Sequence, residues 1–180
     1  MSAERILIDG RSGSGKTELA LALAARWPLA QLVRLDDIYP GWDGLDAASS
    51  AIPAILTEHR WRSWDWAADR SGEWHELDPA RPIIVEGVGA LSAASRPLAG
   101  LAVWVDLDDD TRKRRALARD GETFAPHWDR WAAQELAFIE RERPVELADV
   151  VIPGDDLLRD IERWVTLVRH TTSPPGSTSG

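Results

Sequence analysis

Apolar positions fall in short runs that alternate with stretches of helical spacing. Ile6, Leu7 and Ile8 form the first run, as a buried parallel strand would. Residues 17–27, TELALALAARW, are apolar nearly all round and predict a helix packed against a sheet. Pro28 ends it. Residues 31–35 read as a second strand, and 40–46, PGWDGLD, as a loop. A helix is predicted over 47–62, with Pro53 early in it, and irregular chain over the tryptophan-rich stretch 61–80, which has no clear period. After Pro82, residues 83–85 form a third buried run that ends at Glu86 and Gly87. Residues 88–99 predict a short helix or loop, and 101–105 a fourth strand ending at Asp106. Residues 108–120 predict a helix with acids in the first turn and bases after it, which complements the helix dipole. A break over 121–126 precedes a helix over 127–143, stopped by Pro144. Residues 150–152 read as a fifth strand. Asp155 or Asp156 can cap a last helix on which Leu157, Ile161, Trp164, Val165 and Val168 keep helical spacing. Residues 171–180, TTSPPGSTSG, predict a disordered tail.

Strands alternating with helices imply βαβ units, and hence a parallel sheet covered on both faces. Residues 1–170 are expected to form one domain. In such sheets ligands bind beyond the carboxyl ends of the strands. Attention therefore falls on residues 10–17, Asp36, Asp37, Glu86, Asp106 and the loop after Ile152.

The first of these stretches carries the strongest signal. Gly10, four residues, then Gly15, Lys16 and Thr17 complete the Walker A pattern, between a strand and a helix as it requires. Gly10, Ser12, Gly13, Ser14 and Gly15 would let backbone N–H groups converge on phosphate oxygens. Lys16 would reach the outer phosphates, and the Thr17 hydroxyl would hold Mg²⁺. A nucleoside triphosphate is the expected ligand. Glu86, directly after an apolar strand, has the Walker B arrangement and is the second expected Mg²⁺ ligand. Asp36 and Asp37 end the second strand. Either can accept the proton of an attacking hydroxyl, and Asp36 continues the strand directly. Arg112, Arg115 and Arg119 share one face of a basic helix, where they can close over phosphates or simply be solvated.

Composition narrows the class. The 180 residues include no cysteine, which excludes disulfides, thiol catalysis and cysteine-held zinc. No apolar run reaches the length of a membrane span, and residues 1–5 are polar without a signal-peptide pattern, so a cytoplasmic protein is expected. The net charge of −9 argues against broad nucleic-acid binding. The four histidines show no metal-ligand spacing. Five of the ten tryptophans, Trp42, Trp61, Trp64, Trp66 and Trp74, crowd between the second and third strands. They are packing, or they wall a pocket for a planar or sugar-like acceptor, with acids such as Asp43 and Asp69 supplying polar contacts.

In these segments the chain resembles the uridine kinase family of P-loop nucleoside and nucleotide kinases. LDDIYP (35–40) resembles the family's D-x-F-Y segment, and IIVEG (83–87) its V-V-x-E-G segment. Residues 105–121 resemble the start of its lid, and ADVVIPG (148–154) its final strand. The resemblance implies an adenylate-kinase-like fold with a five-stranded parallel sheet. It implies ATP and Mg²⁺ as cofactors, Asp36 as general base, Glu86 on the metal, and lid arginines within about 108–126. The acceptor region would span about 37–80, with Asp37, Tyr39, Trp42, Asp43, Trp64, Trp66 and Asp69 as candidate contacts. Two departures stand out. The lid's paired arginines fall on Arg115 and Ala116, and the family's nucleobase segment reads Trp64, Asp65, Trp66 with Asp69 in place of a histidine. The expected activity is phosphoryl transfer to a hydroxyl of a nucleoside-like or sugar-like molecule. The alternatives are a nucleoside monophosphate kinase, using Arg60, Arg62 or Arg70, and a non-catalytic ATP-binding regulator.

Overall fold

A computed structural model describes residues 4–172. Five parallel strands form the central sheet: β1 (Arg5–Asp9), β2 (Gln31–Arg34), β5 (Ile83–Glu86), β6 (Leu101–Asp106) and β7 (Val150–Pro153), in the order β2-β5-β1-β6-β7. Two further strands, β3 (Arg60–Asp65) and β4 (Arg70–Glu76), pair apart from it as an antiparallel hairpin. Alternate residues of β1, β2, β5 and β6 enter opposite cores. Leu7, Val33, Val85 and Ala102 pack on one face with Leu45, Ile52 and Leu56 of α2 (Leu45–Glu58). Ile6, Ile8, Ile84 and Val103 pack on the other with Leu19 and Leu23 of α1 (Lys16–Arg26) and Val165 and Val168 of α7 (Ile161–Thr172). Burying each such side chain contributes about 1.5–3 kcal/mol. Near-continuous apolar strands are what a sheet covered on both faces demands.

Between β6 and β7 lie α3 (Asp109–Phe124), α4 (Trp128–Glu142) and the short α5 (Pro144–Leu147). The first turn of α3 is acidic, and Asp108 caps it by accepting the Thr111 N–H at 2.9 Å. Gly121, at φ 52° and ψ −131°, is non-helical and divides α3 into two helical runs, so the break expected over 121–126 starts where predicted, and a second short helical run reaches Phe124. No described helix is long and apolar enough to cross a membrane.

Four expectations are corrected. The stretch 61–80 is not irregular, because β3 and β4 fall within it. A register shift between Arg62 and Trp64 breaks the two-residue alternation by which a strand is recognised. The helix expected over 47–62 spans Leu45–Glu58 and ends at His59, which takes the left-handed conformation at φ 56°. The last helix is two, α6 (Gly154–Arg159) and α7. Asp155 and Asp156 lie inside the first turn of α6 rather than capping it, and Asp160 accepts the Arg163 N–H at 3.0 Å at the start of α7. Of the tail expected over 171–180, Thr171 and Thr172 close α7, and 173–180 lie outside the described residues.

Candidate active site

Strand register brings the functional ends together. Glu86 is level with Ile8 on one side and Arg34 on the other, so β1, β5 and β2 deliver their last residues to one edge. The phosphate loop leaves β1 there and enters α1 at Lys16, aiming the helix N-terminus at the same edge. Gly13 and Gly15 hold φ of 82° and 107°, and a Cβ on Gly13 would lie 2.1 Å from the Arg112 carbonyl oxygen. No L side chain fits at Gly13. Ser14 Oγ is buried in this loop and takes no hydrogen bond among the described residues, an acceptor and donor left for a ligand.

Thr17 Oγ1 lies 3.2 Å from each carboxylate oxygen of Glu86. Arg34 Nε donates to Glu86 at 3.2 Å and reaches toward Asp36 at 3.5 Å. Burial pushes the Glu86 carboxyl up from its ordinary value; Lys16 pulls it down, the Asp36 charge adds to the rise, and Arg34 opposes it. Asp9, wholly buried behind the loop, is pushed up to about 7 by burial. Against that rise, its carboxylate accepts the N–H groups of Gly10 (2.7 Å), Gly89 (3.1 Å) and Leu91 (2.8 Å).

A cavity of about 620 Å³ opens at this edge. Ser12, Lys16, Thr17 and Arg34 form its donor side. Asp36 faces it from the turn after β2 (Leu35–Asp37). Tyr39, Trp42, Trp66, Phe124 and Trp131 wall it with aromatic rings, and Arg119, Asp120 and Thr123 close it from α3. Tyr39 is fixed by donating to the Val88 carbonyl at 2.7 Å, and its ring meets Trp131 edge-on at 4.7 Å. Trp42 stacks on His127 at 4.2 Å and lies 5.2 Å from Trp66. Trp66 Nε1 donates to the Asp36 carbonyl at 2.9 Å, which ties the hairpin to the strand end that carries Asp36.

The structure brings together Ser12, Lys16, Thr17, Asp36, Tyr39, Trp42, Trp66, Glu86 and Arg119. It does not bring the remaining candidates to the cavity wall. Asp37 is exposed beside Asp36. Asp43 pairs with Arg130 on the surface. Trp64 sits half-buried in β3, and Asp69 is exposed between β3 and β4 at φ 49°. Arg112 is buried behind the phosphate loop, where it donates to the Ser12 carbonyl at 3.3 Å and to Asp109. Arg115 donates to the Gly13 carbonyl at 2.9 Å and to Glu18. Of these three arginines only Arg119 lines the cavity, and it is paired with Asp120.

Sequence reasoning passed over Arg34, Asp9, Phe124, Trp131 and Glu135. Glu135 had a signal. It falls with Trp128, Trp131 and Phe138 on the buried face of α4, where a carboxylate needs a partner.

No family model matches the chain. Among curated proteins, a uridine kinase of Latilactobacillus sakei subsp. sakei (strain 23K) is 27% identical over 175 residues, which cover 81% of this chain and 83% of that protein. Among solved structures, a possible uridine kinase from Bacillus stearothermophilus aligns over 84% of this chain and 89% of its own at 21% identity and TM-score 0.56. A shikimate kinase from Bacteroides thetaiotaomicron aligns over 92% and 98% at 17% identity and TM-score 0.57. The parallel sheet and its phosphate loop define an α/β P-loop fold. Within that class the chain is similar to the uridine kinases.

Proposed function

We propose that this kinase transfers the γ-phosphoryl group of ATP, with Mg²⁺, to a hydroxyl of a nucleoside-like or sugar-like molecule in the cytoplasm. The observation that carries the reading is the single cavity whose wall holds Lys16 and Thr17 on one side, Asp36 on another, and aromatic rings opposite. A phosphate donor and a ring-bearing acceptor can meet there with a carboxylate beside them. The names of the relatives, uridine kinase and shikimate kinase, are in keeping with a small hydroxyl acceptor.

Residues 10–17 would bind the triphosphate, with Lys16 on its outer phosphates. The Thr17 hydroxyl and Glu86 carboxylate are hard oxygen donors 3.2 Å apart, a set that suits Mg²⁺ completed by phosphate and water oxygens. When bound, the ion would neutralise charge on the transferred group. Asp36 would orient the acceptor hydroxyl and take its proton. Arg119, once released from Asp120, is the lid arginine best placed to face phosphate, with 108–126 as the lid and 37–80 as the acceptor region. Tyr39, Trp42 and Trp66 would wall the acceptor. The monophosphate-kinase reading has little support. Arg60 and Arg62 are spread over Trp74, and Arg70 lies on β4 opposite Asp65, none of them in the cavity wall.

The test is ADP release with a panel of nucleosides and simple sugars. A kinase of this kind releases ADP at least tenfold faster with one class of hydroxyl compound than without it. A slow rate indifferent to every acceptor belongs to a nucleotide-binding regulator and would refute the proposal.

A further inference from the structure

Glu135 lies on α4, more than a hundred residues from the phosphate loop in sequence, and its side chain is 1% exposed. A carboxylate in such a place is costly unless its oxygens are paired. Here both are. Oε1 accepts the Ser12 backbone N–H at 2.8 Å and the Ser12 hydroxyl at 2.6 Å. Oε2 accepts Arg11 Nε at 3.0 Å and faces the Arg112 guanidinium at 3.6 Å. Trp131, one turn earlier on α4, donates Nε1 to the Ser12 hydroxyl at 3.1 Å. The hydroxyl therefore donates a hydrogen bond to Glu135 and accepts one from Trp131, which leaves it one orientation.

We propose that Glu135 is a positioning residue for nucleotide binding, holding the Arg11–Ser12 turn of the phosphate loop from outside with Arg112 as its counter-charge. The inference rests on reading residues 10–17 as the nucleotide site.

The geometry gives this clamp a direction. The Ser12 N–H is turned out to Glu135, and the Ser12 carbonyl is turned out to Arg112 Nη1 at 3.3 Å. In a trans peptide the C=O and the following N–H are antiparallel. With the Ser12 carbonyl drawn to Arg112, the Gly13 N–H points away from Arg112. Arg115 draws the next carbonyl, Gly13 O, the same way at 2.9 Å. Arg112 thus acts through the loop's backbone. It is 2% exposed and walled by Asp109, Glu135 and the Trp128 ring. Removing the Glu135 charge would leave one acceptor oxygen where two now serve Ser12 and Arg11, and would leave Asp109 as the remaining carboxylate shared by Arg11 and Arg112. The loop's first turn would then be free to relax.

The experiment is calorimetric titration of the full chain with a non-hydrolysable ATP analogue and Mg²⁺, with a thermal melt of each variant. Glu135→Gln keeps size but loses charge, and should weaken binding by about tenfold, the usual worth of hydrogen bonds to a charged group. Ser12→Ala should weaken it less. If Glu135 acts through Ser12, the double variant binds within about twofold of Glu135→Gln alone, because the two changes break one unit. Wild-type affinity in Glu135→Gln, or losses that multiply in the double variant, would overturn the proposal. Should Glu135→Gln fail to fold, Trp131→Phe removes only the bond to the Ser12 hydroxyl. It should cost binding about threefold, and no change there counts against the clamp. Lys16→Ala separates the two layers of the argument. If it abolishes binding while Glu135→Gln binds normally, the role of Glu135 alone fails. If it leaves binding intact, the reading of the loop itself fails.

Discussion

The Thr17 hydroxyl sits 3.2 Å from both carboxylate oxygens of Glu86, although 69 residues separate them. Thr17 arrives on the first turn of α1 and Glu86 on the last residue of β5, so the contact exists only because β1 and β5 are register-matched neighbours. Under the proposed function, these two oxygen donors on rigid elements would form half of a pre-organised Mg²⁺ site. Glu86→Gln keeps the shape and removes the charge. It should lower turnover by about 10²-fold and raise the Mg²⁺ concentration needed for half-maximal rate, while metal-free nucleotide still binds. A magnesium titration of rate at saturating ATP reads this directly. An unchanged magnesium requirement would remove Glu86 from the site.

The aromatic wall separates tryptophans that sequence treats alike. Trp66 is 41% exposed, lines the cavity and bonds the Asp36 carbonyl, whereas Trp64 lies in β3 off the cavity wall. Trp66→Ala should raise the acceptor KM by about tenfold, the scale of losing one aromatic contact in a pocket. Trp64→Ala should leave that KM within about twofold while lowering the melting temperature. Steady-state kinetics on the two variants decides it. Equal effects would mean that the whole hairpin, rather than its cavity-facing residue, binds the acceptor.

Asp9 makes stability depend on pH in an uncommon direction. Its folded carboxyl is pushed up to about 7 by burial, above the ordinary 3.8. Between those values the folded chain keeps a proton that the unfolded chain releases. Folding is then favoured at low pH, and this contribution is lost as pH rises toward 7. The slope is about 1.4 kcal/mol per pH unit for one group. Urea unfolding of wild type and Asp9→Asn at pH 5.5 and pH 8 tests it. Wild type should lose more stability than Asp9→Asn over that interval. Parallel losses would show that Asp9 ionises as freely in the folded chain as in the unfolded one.

Local chemistry was readable where it is written in neighbouring residues. Ile6, Leu7 and Ile8 followed by Gly10 to Thr17 specify a strand, a phosphate loop and a helix without help from the rest of the chain. Asp36 and Glu86 stood out as candidates because strand ends collect ligands in this architecture. The hairpin was missed because a register shift opposite Arg62 and Trp64 puts an extra residue into β4 and interrupts its alternation. Trp64 and Trp66, two apart, would share a face in a continued strand, but β3 stops at Asp65 and Trp66 turns to the cavity. Trp131 and Glu135 serve the phosphate loop from across the fold. Only the tertiary packing of α4 reveals that, although a glutamate on the apolar face of a helix was a visible clue. Of the arginines grouped on one face of α3, Arg112 and Arg115 grip carbonyls of the loop, and Arg119 lines the cavity.

The central claim is that phosphate passes from ATP to an acceptor hydroxyl beside Asp36. Phosphorus NMR of ATP, Mg²⁺ and the acceptor that stimulates ADP release reads it directly. Wild type should convert the γ-phosphate signal into one phosphomonoester. Asp36→Asn should bind ATP normally and form that ester about 10²-fold or more slowly, the worth of a positioned base, and Asp37→Asn should be near wild type. If the γ-phosphate appears only as inorganic phosphate, at a rate indifferent to the acceptor and to Asp36→Asn, the protein is not a hydroxyl kinase and this account of its site is wrong.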